Sequence, residues 1–151
     1  MAESAADRRL EGIRGWLLVL AIVLCLGLLR TIGEFGSGLP DFIRGWRANE
    51  SARGPMAVVI VLSAAYLIAN LWAVIALFQK SRKFKTAFVV LWILAALTPA
   101  SALLMLGVRG VTLEMILPTD EIARATAAVI GMGLWFWYLC ASQRVKNTLV
   151  H

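Results

Sequence analysis

Histidine, paired cysteines and acidic residues inside apolar runs are what this sequence has least of. Its single histidine is the last residue, His151, and its two cysteines, Cys25 and Cys140, are far apart in the chain. Metal and haem sites need several such ligands close together, so we expect no metal and no cofactor. Catalysis by hydrolases and transferases needs a histidine, paired acids or an activated nucleophile. The sequence contains no such arrangement, and it predicts that the protein is not an enzyme.

Polar residues are also scarce. Charged residues make up 16% of the chain, hydrophobic residues make up 60%, and the mean hydropathy is +0.79. This is too little polar surface for a soluble globule of this length. Four stretches contain no charged residue and no histidine: 15–29, 54–79, 86–108 and 125–143. The composition therefore predicts an integral membrane protein.

The four apolar stretches set the predicted spans. A membrane-spanning helix needs about 20 mostly apolar residues, which the last three stretches supply directly. The first reaches this length if flanking arginines extend their charged ends to the lipid headgroups. We predict one membrane domain over residues 1–151, with spans near 13–33, 55–78, 86–107 and 122–142.

The predicted fold is an all-α, four-helix membrane bundle with up-down-up-down connections. The short segment 80–85 between the second and third spans favours antiparallel neighbours. In the loop after the first span, Pro40 is well placed to begin a helix. Phe42, Ile43 and Trp46 would then share one side of it. This predicts a short amphipathic helix lying in the membrane interface, with a gating flap as the alternative.

Basic residues predict the orientation. With both termini cytoplasmic, nine lysines and arginines lie inside and six lie outside, which the positive-inside rule favours. An isoelectric point near 10.0 is typical of nucleic-acid-binding proteins, but the basic residues flank spans at both faces and form no single groove. Membrane lipids are therefore the expected partners, and nucleic acid is not.

Small residues recur every four positions in three of the predicted spans. Such residues let helices approach closely in a membrane. The repeats leave open whether the helices that meet belong to one chain or to two. The residues are Ala65, Ala69 and Ala73 in the second span, Ala96 and Ala100 in the third, and Ala127 and Gly131 in the fourth.

Asn70 is the most polar side chain in the middle of a predicted span, and Tyr66 precedes it by one helical turn. An unpaired amide in lipid costs several kcal/mol, so a partner is expected. One interpretation is a hydrogen bond that ties helices together. The alternative is a ligand or ion site lined by Tyr66, Asn70, Thr98 and Ser101. Pro99 should bend the third helix, either as a static kink or as a hinge.

The two ends of the chain resemble a bacterial family of small four-span inner-membrane proteins known as YdgK-like, a domain of unknown function. Gly15-Trp16-Leu17-Leu18 matches the opening of that family's first helix. The family's closing pattern is matched by Tyr138, Ser142, Arg144, Val145, Lys146 and Thr148. The resemblance implies a four-span fold and a bacterial inner membrane, but no reaction.

Ser142, Arg144 and Lys146 lie where the fourth span meets the predicted cytoplasmic face. The basic side chains of Arg144 and Lys146 are suited to anchoring the helix end. We predict that they contact a lipid headgroup, the 80–85 loop or a partner protein.

The leading functional hypothesis is a structural, accessory or assembly role, either as a homo-oligomer or within a larger membrane complex. It rests on the small-residue faces and the missing catalytic groups. The alternative is an oligomeric transporter or channel, or a lipid-binding protein, with a site near Asn70.

Overall fold

A computed structural model describes residues 15–108, 112, 114, 118–142 and 145. Every regular element in this part of the chain is helical, and four segments are long and apolar enough to cross a membrane. The predicted all-α fold with four such helices is confirmed. The elements are α1 (Trp16–Ala48), a 3-10 turn (Glu50–Ala52), α2 (Arg53–Phe78), α3 (Lys83–Ala102) with a 3-10 extension (Leu103–Gly107), and α4 (Thr119–Ala141).

Helix α1 is longer than the sequence predicted. We expected one helix to end near residue 33 and a separate interfacial helix to begin at Pro40. The structure instead has one helix of 33 residues with Pro40 inside it. This helix is about 50 Å long at about 1.5 Å per residue, whereas the hydrocarbon core of a membrane is about 30 Å thick. The predicted amphipathic segment is helical, but as the continuation of α1.

Contacts with α2 hold this continuation in place. Gly45 packs so closely on Met56 that the position of a Cβ atom on Gly45 lies 2.7 Å from the Met56 methyl carbon. The Arg53 Nε atom donates a hydrogen bond to the Trp46 carbonyl oxygen at 3.1 Å. These contacts stabilise the helix beyond the proline, where one backbone hydrogen bond is missing.

The buried core lies near the turn between α2 and α3, which we call the Lys80 end. Ala73 on α2 is fully buried, as are Phe84 and Phe88 on α3. Leu17 of α1 and Leu139 of α4 belong to the same cluster. The small residues of α2 therefore serve packing within the chain, because they let large side chains of the other helices approach.

On α4 the small residues are used differently. Ala127 is exposed, and a Cβ atom on Gly131 would meet nothing within 4 Å. Gly133 packs on α3 instead, with its Cβ position 3.2 Å from the Trp92 ring. Trp92 Nε1 donates to the Val129 carbonyl oxygen at 3.0 Å, which holds the ring in place.

A Schellman-type turn ends α2. The Ser81 N–H donates to the Ala76 carbonyl oxygen and the Lys80 N–H donates to that of Leu77, both at 3.0 Å. Lys80 adopts the left-handed conformation that this turn requires, with φ at 53°. Glycine adopts this conformation without steric strain, whereas lysine does not.

Replacing Lys80 with glycine should raise the free energy of unfolding by about 1 kcal/mol, because the left-handed conformation costs a residue with a side chain roughly that much. Thermal unfolding in detergent measures this. Lys83→Gly is the control, because Lys83 begins α3 and glycine lowers helix stability by up to about 1 kcal/mol. Equal decreases in the free energy of unfolding in the two variants would contradict the left-handed conformation of Lys80.

Gly133→Ala should leave the protein about 1–3 kcal/mol less stable than Gly131→Ala, which is the usual cost of overpacking. Both variants replace a helical glycine with alanine, which favours the helix equally in the two. Only Gly133→Ala places a methyl group against the hydrogen-bonded Trp92 ring. The same unfolding assay compares them. Equal stabilities would show that the α3–α4 contact is looser than the structure indicates.

Candidate functional site

Two close contacts set the register between α1 and α2. The Cβ position on Gly27 lies 3.9 Å from Asn70 Nδ2, and the Gly45 contact with Met56 is farther along the pair. Higher numbers on α1 thus lie beside lower numbers on α2. Residues between Gly27 and Gly45 therefore lie beside the segment of α2 from Met56 to Asn70, which covers the first part and the middle of its uncharged stretch 54–79.

An ion pair occupies this level of α1. Arg30 Nε lies 2.6 Å from Glu34 Oε1, and the two side chains are 66% and 62% exposed. By the register of the two helices, Tyr66 on α2 lies at the level of this pair. Because α1 continues past residue 34, both charges lie beside the middle of a spanning helix and at the surface of the bundle.

This placement changes an expectation from the sequence. We had ended the first span at residue 33, which left Glu34 outside the membrane and made every span free of acids. The spacing of Arg30 and Glu34 was visible as an i,i+4 pair, but nothing local showed that the helix continues. Only the packing of α1 on α2 shows that the helix continues and that the pair lies beside the uncharged stretch of α2.

Asn70 lies under α1 and is 2% exposed. Its Oδ1 atom is buried and has no hydrogen-bond partner in the described part of the protein. The reason is that backbone N–H groups of neighbouring helices are used in their own helical hydrogen bonds. One role that we predicted for Asn70 is a hydrogen bond between helices. Its Oδ1 atom does not form such a bond.

The other residues of the predicted intramembrane site are placed separately. Tyr66 is partly buried against the core. The Thr98 hydroxyl donates to the Leu94 carbonyl oxygen at 2.8 Å, and the Ser101 hydroxyl donates to the Thr98 carbonyl oxygen at 2.6 Å. Both hydroxyl groups thus bond to the backbone of α3 around Pro99. The register between α1 and α2 places Tyr66 at the level of the charged pair and Asn70 about one turn away, beside Gly27.

At the other end of the chain, Ser142 follows the last turn of α4, and its N–H donates to the Tyr138 carbonyl oxygen at 2.9 Å. Arg144 and Lys146, which we predicted to contact lipid or a partner, lie outside the described residues. Val145 between them is fully buried in the same cluster as Phe84. Sequence reasoning missed this anchor, because one valine in a polar tail carries no periodic signal.

A comparison with protein-family models identifies the chain. The model of DUF2569, described as a protein of unknown function, matches residues 10–150. The chain belongs to the DUF2569 family. No curated protein and no solved structure matches it. Membership in DUF2569 covers all four long apolar helices but assigns no reaction, so the functional argument for this member depends on its own residues.

The charges of this DUF2569 member differ between the two ends of the bundle. Four ion pairs occur in the described ranges, and none involves the 80–85 turn. They join Arg30 with Glu34, Arg44 with Asp41, Arg53 with Glu50, and Arg124 with Asp120. Lys80 and Arg82 lie in the turn itself, and Lys83 and Lys85 lie in the first turn of α3. This concentration of positive charge suits anionic lipid headgroups.

Replacing Asn70 with leucine should leave the free energy of unfolding unchanged or raise it by about 1 kcal/mol, because the change removes a buried acceptor without a partner. Thermal unfolding in detergent is the measurement. Asn70→Ala separates the effect of lost packing volume from that of the amide. A loss above about 1 kcal/mol in the leucine variant would show that a partner bonds the amide in the membrane.

Proposed function

We propose that this DUF2569 member is a structural or accessory membrane protein that assembles, through α1, with itself or with a larger membrane complex. The proposal includes a multi-pass position in a bacterial inner membrane, which the resemblance of its ends to YdgK-like proteins implies. It also includes up-down-up-down connections and cytoplasmic termini, which the loop lengths and the distribution of basic residues favour. It includes no enzymatic activity and no cofactor.

The exposed Arg30–Glu34 pair at mid-span carries the proposal. A charged side chain at the centre of a membrane helix costs about 2.5–3.5 kcal/mol. Pairing the two charges lowers this cost, but both side chains remain more than half exposed on the bundle surface. A polar surface of another membrane helix would remove the remaining exposure to lipid. The charges therefore support assembly more directly than the small residues do.

Lipid contact at the Lys80 end is a second part of the same role. The basic residues of the 80–85 turn are suited to anionic headgroups. Val145 is buried in the core beside this end. This arrangement anchors the bundle at one membrane face while α1 remains available for assembly.

Crosslinking in native membranes, followed by mass spectrometry, tests the assembly role. We expect crosslinks to a second copy or to another membrane protein, and we expect the R30L/E34L variant to lose them. The matched control is D120L/R124L, because this pair on α4 has the same spacing and similar exposure. A strictly monomeric protein without partners, or equal crosslinking in both variants, would contradict the proposal.

A transporter or channel is the second candidate, and the buried Asn70 Oδ1, which has no partner among the described residues, favours it. An unused acceptor can bond a passing solute that donates a hydrogen bond. Flux into proteoliposomes, measured with a broad panel of small solutes, should then fall in Asn70→Leu. Equal flux in wild type and variant would remove the reason to place a solute site there. Lipid identified by native mass spectrometry after purification would instead favour lipid binding.

A further inference from the structure

We infer that the partner of α1 is a second copy of this chain, bound through one exposed face of the helix. This inference deepens the proposed assembly function and rests on it. We call the surface the helix-one face. It consists of Val19, Val23, Leu26, Arg30, Gly33, Glu34 and Ser37, all exposed in the single chain.

The spacing along the helix-one face fits helix pairing. The residues from Val19 to Ser37 follow one another at alternating intervals of four and three, apart from Glu34 beside Gly33. This is the spacing of a seam between two supercoiled helices. The seam lies opposite the side of α1 that carries Leu17, Leu20 and Leu24, which are buried within the bundle. Pairing through it would leave the core unchanged.

Glycine and serine make room at the end of the seam that carries the charges. Gly33 and Ser37 are four residues apart, which is the spacing of small residues in closely packed membrane helices. A Cβ atom on Gly33 would meet nothing within 4 Å, so the chain's own bundle leaves this surface uncovered. A second helix can therefore approach closely at the level of the charges.

Charge complementarity selects a second copy as the partner. Arg30 and Glu34 put both signs on one face, one helical turn apart. Two copies inserted in the same direction pair as parallel helices about a two-fold axis along the membrane normal. Each Arg30 then lies about one turn from Glu34 of the other copy, which its long side chain can reach. Arg30 bonds its own Glu34 through Nε, which leaves the two terminal guanidinium nitrogens for another carboxylate. In the pair of helices, each Arg30 would bond Glu34 of both copies. Two isolated ion pairs would become one network of four charges.

Charge exchange between two differently tagged copies tests this network. The copies are expressed together, extracted with their native lipid and purified through one tag. Wild-type copies should co-purify, whereas R30E with itself and E34R with itself should each lose association about ten-fold, which corresponds to about 1.4 kcal/mol. Co-expression of R30E with E34R should restore association, because one copy then carries two acids and the other two bases.

The double variant R30E/E34R controls for membrane insertion. It keeps one charge of each sign on the face, so it should insert and associate with itself as wild type does. All recoveries are compared at equal amounts in the membrane. Association of wild type together with no restoration in the mixed R30E and E34R copies would overturn the inference.

Cysteine crosslinking tests the same face without changing a charge. In a chain with Cys25 and Cys140 replaced by alanine, Ser37→Cys should form a disulfide between copies on oxidation. Gly36→Cys is the matched control, because Gly36 is also exposed and unobstructed but lies about 100° around the helix. Equal disulfide yields at both positions would also overturn the inference.

The outcomes separate this inference from the proposed function. If wild-type copies fail to associate but the chain is crosslinked to a different membrane protein through α1, assembly stands and the two-fold pairing is wrong. If neither a second copy nor another protein is found, both are wrong.

Discussion

Two opposite charges on a membrane helix constrain this protein more than any other feature. Arg30 and Glu34 bond to each other, yet most of both side chains remains on the surface of the bundle. Water satisfies such groups on a soluble protein, but hydrocarbon does not. The proposed assembly follows from this constraint, because a polar neighbour would cover the charges that the bundle leaves exposed.

The core leaves the side of α1 with Arg30 and Glu34 uncovered. Its large side chains, such as Phe84 and Phe88, meet the small residues of α2 near the Lys80 end. Leu17 and Leu20, on the buried side of α1, pack in the same core. The opposite face of α1, with Arg30 and Glu34, is left outside. A compact core at one end thus determines which face of α1 is available to a partner.

Much of the fold followed from the sequence because lipid makes strong demands on composition. Long runs without charge predicted the helices around Asn70, Pro99 and Trp135, and the structure has helices there. The first helix was harder to predict, because glycines, serine and Pro40 follow its apolar run and are typical of a loop. Contacts from Gly45 and Trp46 to α2 override that local preference. No pattern within one segment could have shown those contacts.

The candidate site was likewise predictable from the sequence only in part. The sequence by itself determined that Asn70 lies within an apolar span and that Arg30 and Glu34 share one face of a helix, because helix periodicity and hydrophobicity are local properties. Only the tertiary structure decided that Asn70 lies beside Gly27 of α1, that Thr98 and Ser101 bond to their own backbone, and that Val145 reaches the core. Those facts depend on the register between helices, which is set by close packing at positions such as Gly27 and Gly133. Register is a property of two segments together, so neither segment alone encodes it.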